Sequence, residues 1–97
     1  MVKTRMIPEQ RLQQAAECLK VLAHPGRLRM VELILDQPRA VGELATACGL
    51  TVAVTSGHLR LLERCGLLVG TREGRHRYYA AGKPCLAGFI RCIREEI

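Results

Sequence analysis

Apolar residues recur along this chain first at helical spacing and then at strand spacing. Leu12, Ala15, Ala16, Leu19 and Leu22 fall at intervals of mostly three and four, which predicts one buried helix face. Pro8-Glu9-Gln10 suits the first turn of that helix, with proline near its first position and an acid beside the positive end of the dipole. His24-Pro25-Gly26 interrupts the pattern. Pro25 can open a second helix, with Leu28, Val31, Leu33, Ile34 and Leu35 mostly on its buried side. Asp36-Gln37-Pro38 ends it, because proline disfavours helical geometry in the residue before it. Val41–Cys48 reads as a short third helix closed by Gly49, and Thr51 as the N-cap of a fourth. In the fourth helix Thr55, Leu59 and Leu62 form one stripe, flanked by Val54, Leu61 and Cys65. The small or basic residues Ala53, Ser56, Gly57 and Arg60 take the opposite side.

Gly66 fits the position just past that helix. Leu67–Arg72 and Arg75–Ala80 then flank Glu73-Gly74, a turn signal between two strands. Gly82-Lys83-Pro84 closes the hairpin. Leu86, Phe89, Ile90, Ile93 and Ile97 are spaced for burial on a last helix, and residues 1–7 read as a flexible arm. The predicted order is α-α-α-α-β-β-α, mainly α with a small β-hairpin. That is a winged helix-turn-helix, one domain over residues 1–97, with Gly49-Leu50-Thr51 as the turn.

Charge adds a direction to this outline. The 97 residues carry 15 Lys and Arg against 9 Asp and Glu, a net charge of +6. Arg60, Arg64, Arg72, Arg75, Arg77 and Lys83 crowd the helix and hairpin, opposed there by Glu63 and Glu73. A polyanion would meet a positive surface. The rival readings are a solvated basic face and a winged helix used only for protein contacts. No Gly-rich phosphate loop, paired acid and base, or partnered nucleophile points to an enzyme. Met1-Val2-Lys3-Thr4-Arg5 lacks a following apolar run, and no stretch approaches the roughly 18 residues of a membrane span, so a cytoplasmic protein without membrane partner is expected.

The chain resembles the ArsR/SmtB family of bacterial metalloregulatory repressors. The resemblance lies in Leu19–Arg29, Val41-Gly42-Glu43-Leu44, Leu50–Leu62 with its Ser56-x-His58-Leu59 core, and Gly66-Leu67-Leu68 running into Arg77-Tyr78-Tyr79. It implies a homodimer joined by the first and last helices, bound to a double-stranded DNA operator until an inducer releases it. It also implies DNA contacts from the positions of Val52, Ala53, Ser56 and Gly57, where the family often carries Gln, Ser or His. Val52 and Ala53 cannot form bidentate bonds to base edges, though they can touch a thymine methyl. Phosphate contacts and DNA shape then carry more weight. Thr51, Ser56 and Arg60 are the polar candidates on the helix. His58 either bonds a phosphate or the backbone, or packs half-buried. Arg72, Arg75 and Arg77 alternate, so wherever they lie in strand they share one side of the wing and suit phosphate or minor-groove contact. Tyr78 and Tyr79 read as core and interface residues.

Five cysteines, at 18, 48, 65, 85 and 92, form no C-x-x-C and no even-numbered framework. The family's arsenic-site positions are held by Ala40, Gly42 and Ala45, so that site is absent. At its zinc-type site on the last helix stand Lys83, Cys85 and Glu96, with the fourth position beyond Ile97. Cys48 and Cys65 read as packing residues. Cys85 and Cys92 share a helix face but lie about 10 Å apart along the axis. Cys18, grouped with Cys85 or Cys92, could hold a thiophilic ion such as As(III) or Cu(I), or form a disulfide. Plain buried thiols with no cofactor are the other reading.

Overall fold

In the computed structural model, which describes residues 5–97, the chain folds as helices α1 (Glu9–Leu22), α2 (Pro25–Asp36), α3 (Val41–Cys48), α4 (Val52–Arg64) and α5 (Cys85–Glu96). A three-stranded antiparallel sheet completes it: β1 (Arg39–Ala40), β2 (Leu68–Glu73) and β3 (His76–Ala81), in the order β1-β3-β2. The predicted arm falls largely on residues 1–4, outside the described ones.

The predicted start and stop signals act as expected, with two additions. Thr51 caps α4, its hydroxyl oxygen accepting from the Val54 amide at 3.1 Å. Gly49 closes α3 in the left-handed conformation (φ 66°), which turns the chain from α3 into α4. The start of α2 uses a cap that sequence pattern does not announce. The His24 ring nitrogen Nδ1 accepts from the amides of Gly26 (3.0 Å) and Arg27 (3.4 Å), doing the work of an Asn or Asp side chain. Strand β1 is also an addition. Two residues carry no periodicity, and Arg39 and Ala40 become a strand only because β3 offers Tyr79 and Tyr78 as register partners.

Met30, Leu44, Leu59, Leu62, Leu68 and Leu86 are wholly buried and join α2, α3, α4, the sheet and α5 in one core. Helix α1 is different. Only Leu22 of its apolar stripe is buried, while Leu12 and Leu19 are each 47% exposed. On α5, Leu86 and Ile90 are buried but Phe89 and Ile93 stay open. The stripe positions on α1 and α5 expected in the core thus stand at the surface, since nothing among the described residues of one chain covers them. The radius of gyration, 15.1 Å, exceeds the roughly 12.5 Å of a compact chain this long. The molecule measures 57 × 28 × 20 Å.

Thr55, facing the core from α4, is fully buried and its hydroxyl has no hydrogen-bond partner among the described residues. Removing that hydroxyl at nearly constant shape should help. Thr55→Val is expected to gain about 1 kcal/mol, read as a higher urea midpoint at unchanged m-value; a lower midpoint would mean the hydroxyl is satisfied.

Candidate nucleic-acid interface

Helix α4 is about 20 Å long and leads with its N-terminus away from the core. Val52 (56% exposed), Val54 (48%) and Thr51, Ala53, Gly57 and Arg60 are open, while Ser56 is half-buried. Val54 was expected beside the inner stripe. It lies outside, about half exposed, next to the fully buried Thr55. The exposed end is therefore apolar and small, with Thr51, Ser56 and Arg60 as its polar members.

His58 does not point to solvent. Its Nδ1 accepts from Arg27 Nε at 3.0 Å, and its ring lies 4.7 Å from that of His24. Arg27 also donates to the carbonyl of Val21 at 3.1 Å. His24, Arg27 and His58 thus tie the end of α1 and the start of α2 to the middle of α4. Burial first, then the charges of Arg27 and His24, push the His58 pKa below its ordinary 6.5. Folding therefore favours the neutral ring, and the unfolded chain binds the proton more readily. Stability should be full above the unfolded value and fall as pH drops from about 7 towards 5. Urea unfolding across that range, compared between the parent and His58→Gln, checks this; equal slopes in both would show that His58 is not the group responsible.

The wing places its three arginines in three settings. Glu73 pairs with His76, leaving Gly74 (φ 61°) and Arg75 as a two-residue turn. Arg75 is thus at the tip and not in the strand expected for it, because glycine takes the first turn position and Arg75 the second. Arg72 and Arg77 are register partners and share a face, as alternation predicted. Arg77, however, lies back across the sheet. It donates to Glu63 of α4 at 2.7 Å and to the Tyr79 hydroxyl at 3.3 Å, with its guanidinium carbon 5.7 Å from the Tyr79 ring centre. Gly70 makes room for it: a Cβ there would stand 2.6 Å from Arg77 Nε. Arg77 couples wing to helix through Glu63, which the sequence showed only as an acid opposing the basic residues of this region. Neither Arg72 nor Arg75 forms an ion pair among the described residues.

The other basic residues diverge. Arg64 and Lys83 line a cavity with Arg11 at the far end of α4. Arg94 bonds Glu32 at 3.0 Å, joining α5 to α2, and Arg29 and Arg94 together hold the Glu32 carboxyl below its usual range. Of the thiols named as a group, Cys18 and Cys85 line that same cavity, whereas Cys92 faces Glu96 at 3.5 Å on the exposed side of α5. Among the described residues no three His, Cys, Asp or Glu side chains converge as metal ligands, so Cys18, Cys85 and Cys92 do not fit a metal ion as one set.

The layout of α3, turn, α4 and wing has counterparts among known proteins. Residues 24–69 match the model of the family described as bacterial regulatory protein, arsR family. An uncharacterized HTH-type transcriptional regulator of Mycobacterium tuberculosis, Rv0081, is 36% identical over 83 residues, covering 84% of this chain and 73% of that one. The chain belongs to the arsR family of bacterial regulatory proteins. The HTH-type transcriptional regulator CmtR of Mycobacterium bovis is 40% identical over 79 residues, 81% of this chain and 67% of CmtR. Among solved structures, the homodimeric winged helix-turn-helix DNA-binding domain of Mb0332 from Mycobacterium bovis aligns with a TM-score of 0.81 at 30% identity. That alignment covers 97% of this chain and 87% of that domain. The winged helix-turn-helix fold expected from the sequence is thus the one observed, and the arsR family model falls on its central residues 24–69.

Proposed function

We propose that this arsR-family protein is a cytoplasmic homodimeric repressor that binds an operator in duplex DNA and is released by an inducer. The observation that carries it is the pairing of an open N-terminal half of α4 with a wing whose Arg72 and Arg75 form no ion pair among the described residues. α4 would enter the major groove by that end. Val52 and Ala53 would meet thymine methyls, and Thr51, Ser56, Gly57 and Arg60 would lie along the sugar-phosphate backbone. His58, held by Arg27, orients the helix instead of touching DNA. Arg72 and Arg75 would follow the adjacent minor groove or its phosphates, and Arg77 would hold the wing at its angle.

The homodimer is supported by the uncovered apolar residues of α1 and α5 and by the homodimeric Mb0332 domain. A second copy laid against Leu12, Leu19, Phe89 and Ile93 would bury what one chain leaves open. The chain is read as a regulator and not an enzyme. The test is a titration with duplex DNA at several salt concentrations. Affinity should fall linearly with salt on logarithmic axes. Salt-independent binding, or none to any duplex, would favour a winged helix used for protein contacts.

A further inference from the structure

We propose that Cys18 and Cys65 form a dithiol that peroxide converts to a disulfide, tying α1 to the end of the recognition helix α4. The proposal deepens the repressor reading by naming the chemical class of inducer, and its effect on DNA rests on that reading.

The two cysteines are 47 residues apart in sequence, yet the Cys18 thiol donates to the main-chain oxygen of Cys65 at 3.7 Å. Both line a cavity of about 650 Å3 bounded by α1, the end of α4 and the start of α5. Its other walls include Leu19, Leu22 and Phe89, and Arg11, Arg64 and Lys83 favour anions within it. Both thiols are only partly covered within one chain. In a dimer seated on Leu19 and Phe89 the cavity would border the interface, and an uncharged oxidant as small as peroxide would still enter it. Cys85 lines the cavity too, but it is exposed and bonds neither of the others.

The roles of the two sulfurs differ. Burial first, and then the hydrogen bond with Cys18, raise the Cys65 pKa, so Cys65 stays protonated at rest. Cys18 is then the attacking sulfur. It takes one oxygen of hydrogen peroxide as the O–O bond breaks, giving a sulfenic acid and water. Cys65 next attacks that sulfur. The S–S bond forms, the S–O bond breaks, and the departing hydroxide leaves as water with the Cys65 proton. Two thiols are oxidised by two electrons in total and one peroxide is reduced.

The bridge would join a helix with little hold on its own core to the end of the helix read as facing DNA. In a dimer built on α1 that resets the placement of the two α4 helices, so oxidation is expected to weaken operator binding about tenfold, within the usual range of allosteric coupling.

Mass spectrometry and duplex binding on the full chain test this. After one equivalent of hydrogen peroxide the chain should lose the mass of two hydrogens, and its peptide map should link Cys18 to Cys65. Cys18→Ser and Cys65→Ser should each abolish that link, while Cys85→Ser and Cys92→Ser keep it. Oxidised protein should bind duplex about tenfold more weakly and recover with dithiothreitol. A different cysteine pair, a bridge between two chains, simple oxygen addition, or a Cys18–Cys65 bridge that leaves duplex affinity unchanged would each overturn the proposal. If reduced protein binds no duplex, the repressor reading fails, and the peptide map still decides the dithiol.

Discussion

Leu59→Ala is expected to cost about 3 kcal/mol of stability. Leu59 is wholly buried on the inner stripe of α4, within the cluster that includes Met30, Leu44, Leu62 and Leu68. Truncation removes the transfer free energy of the deleted carbons and leaves a cavity that the neighbours fill only in part, a combined loss of about 2–5 kcal/mol. A domain of this size has roughly 5–15 kcal/mol in total, so the loss is a large share of it. The melting temperature should drop by about 12–24 °C, which thermal unfolding followed by circular dichroism at fixed protein concentration would read. Val54→Ala, on the exposed side of the same helix, should change stability by no more than about 0.5 kcal/mol. Similar losses in both variants would contradict the assignment of inner and outer faces on α4.

The largest functional effect is expected from removing Arg72 and Arg75 together. Each phosphate that a side chain no longer neutralises takes about 0.9 from the slope of log affinity against log salt. The double alanine variant should therefore show a slope shallower by about 1.8, and affinity lower on the order of a hundredfold at about 0.1 M salt. Sequence alternation alone would pair Arg75 with Arg77. The structure changes that choice, because Arg77 is engaged by Glu63 and Tyr79. Arg77→Ala should act differently, loosening the wing and weakening binding with little change in slope. An unchanged slope in the Arg72/Arg75 variant would remove the wing from the DNA-binding surface.

Much of this protein was legible because local rules acted alone. Helix α3 has the predicted ends, Val41 and Cys48, since Gly49 supplies the left-handed residue that stops it. Thr51 caps α4 through its own hydroxyl. Those signals lie within four residues of their effect. The site was legible more coarsely. The exposed faces of α4 and the basic wing followed from spacing and charge, but the role of each side chain did not. His24, Arg27 and His58 are brought together from the helix starts and the middle of α4, and a histidine acting as a helix cap carries no sequence signature. Glu63 and Arg77 stand 14 residues apart on a helix and a strand, so no periodicity relates them.

By itself the sequence determined the helices, the hairpin, the helix-turn-helix order and the basic bias of the fourth helix and wing. These depend on propensity, capping and alternation, which act over a few residues. Only the tertiary structure decided which cations are free of carboxylates, which histidine is held, and which cysteine approaches Cys18. It also made β1 a strand by giving it β3 as a partner, and it left α1 and half of α5 uncovered. Those outcomes depend on distances between groups far apart along the chain, and only folding sets such distances.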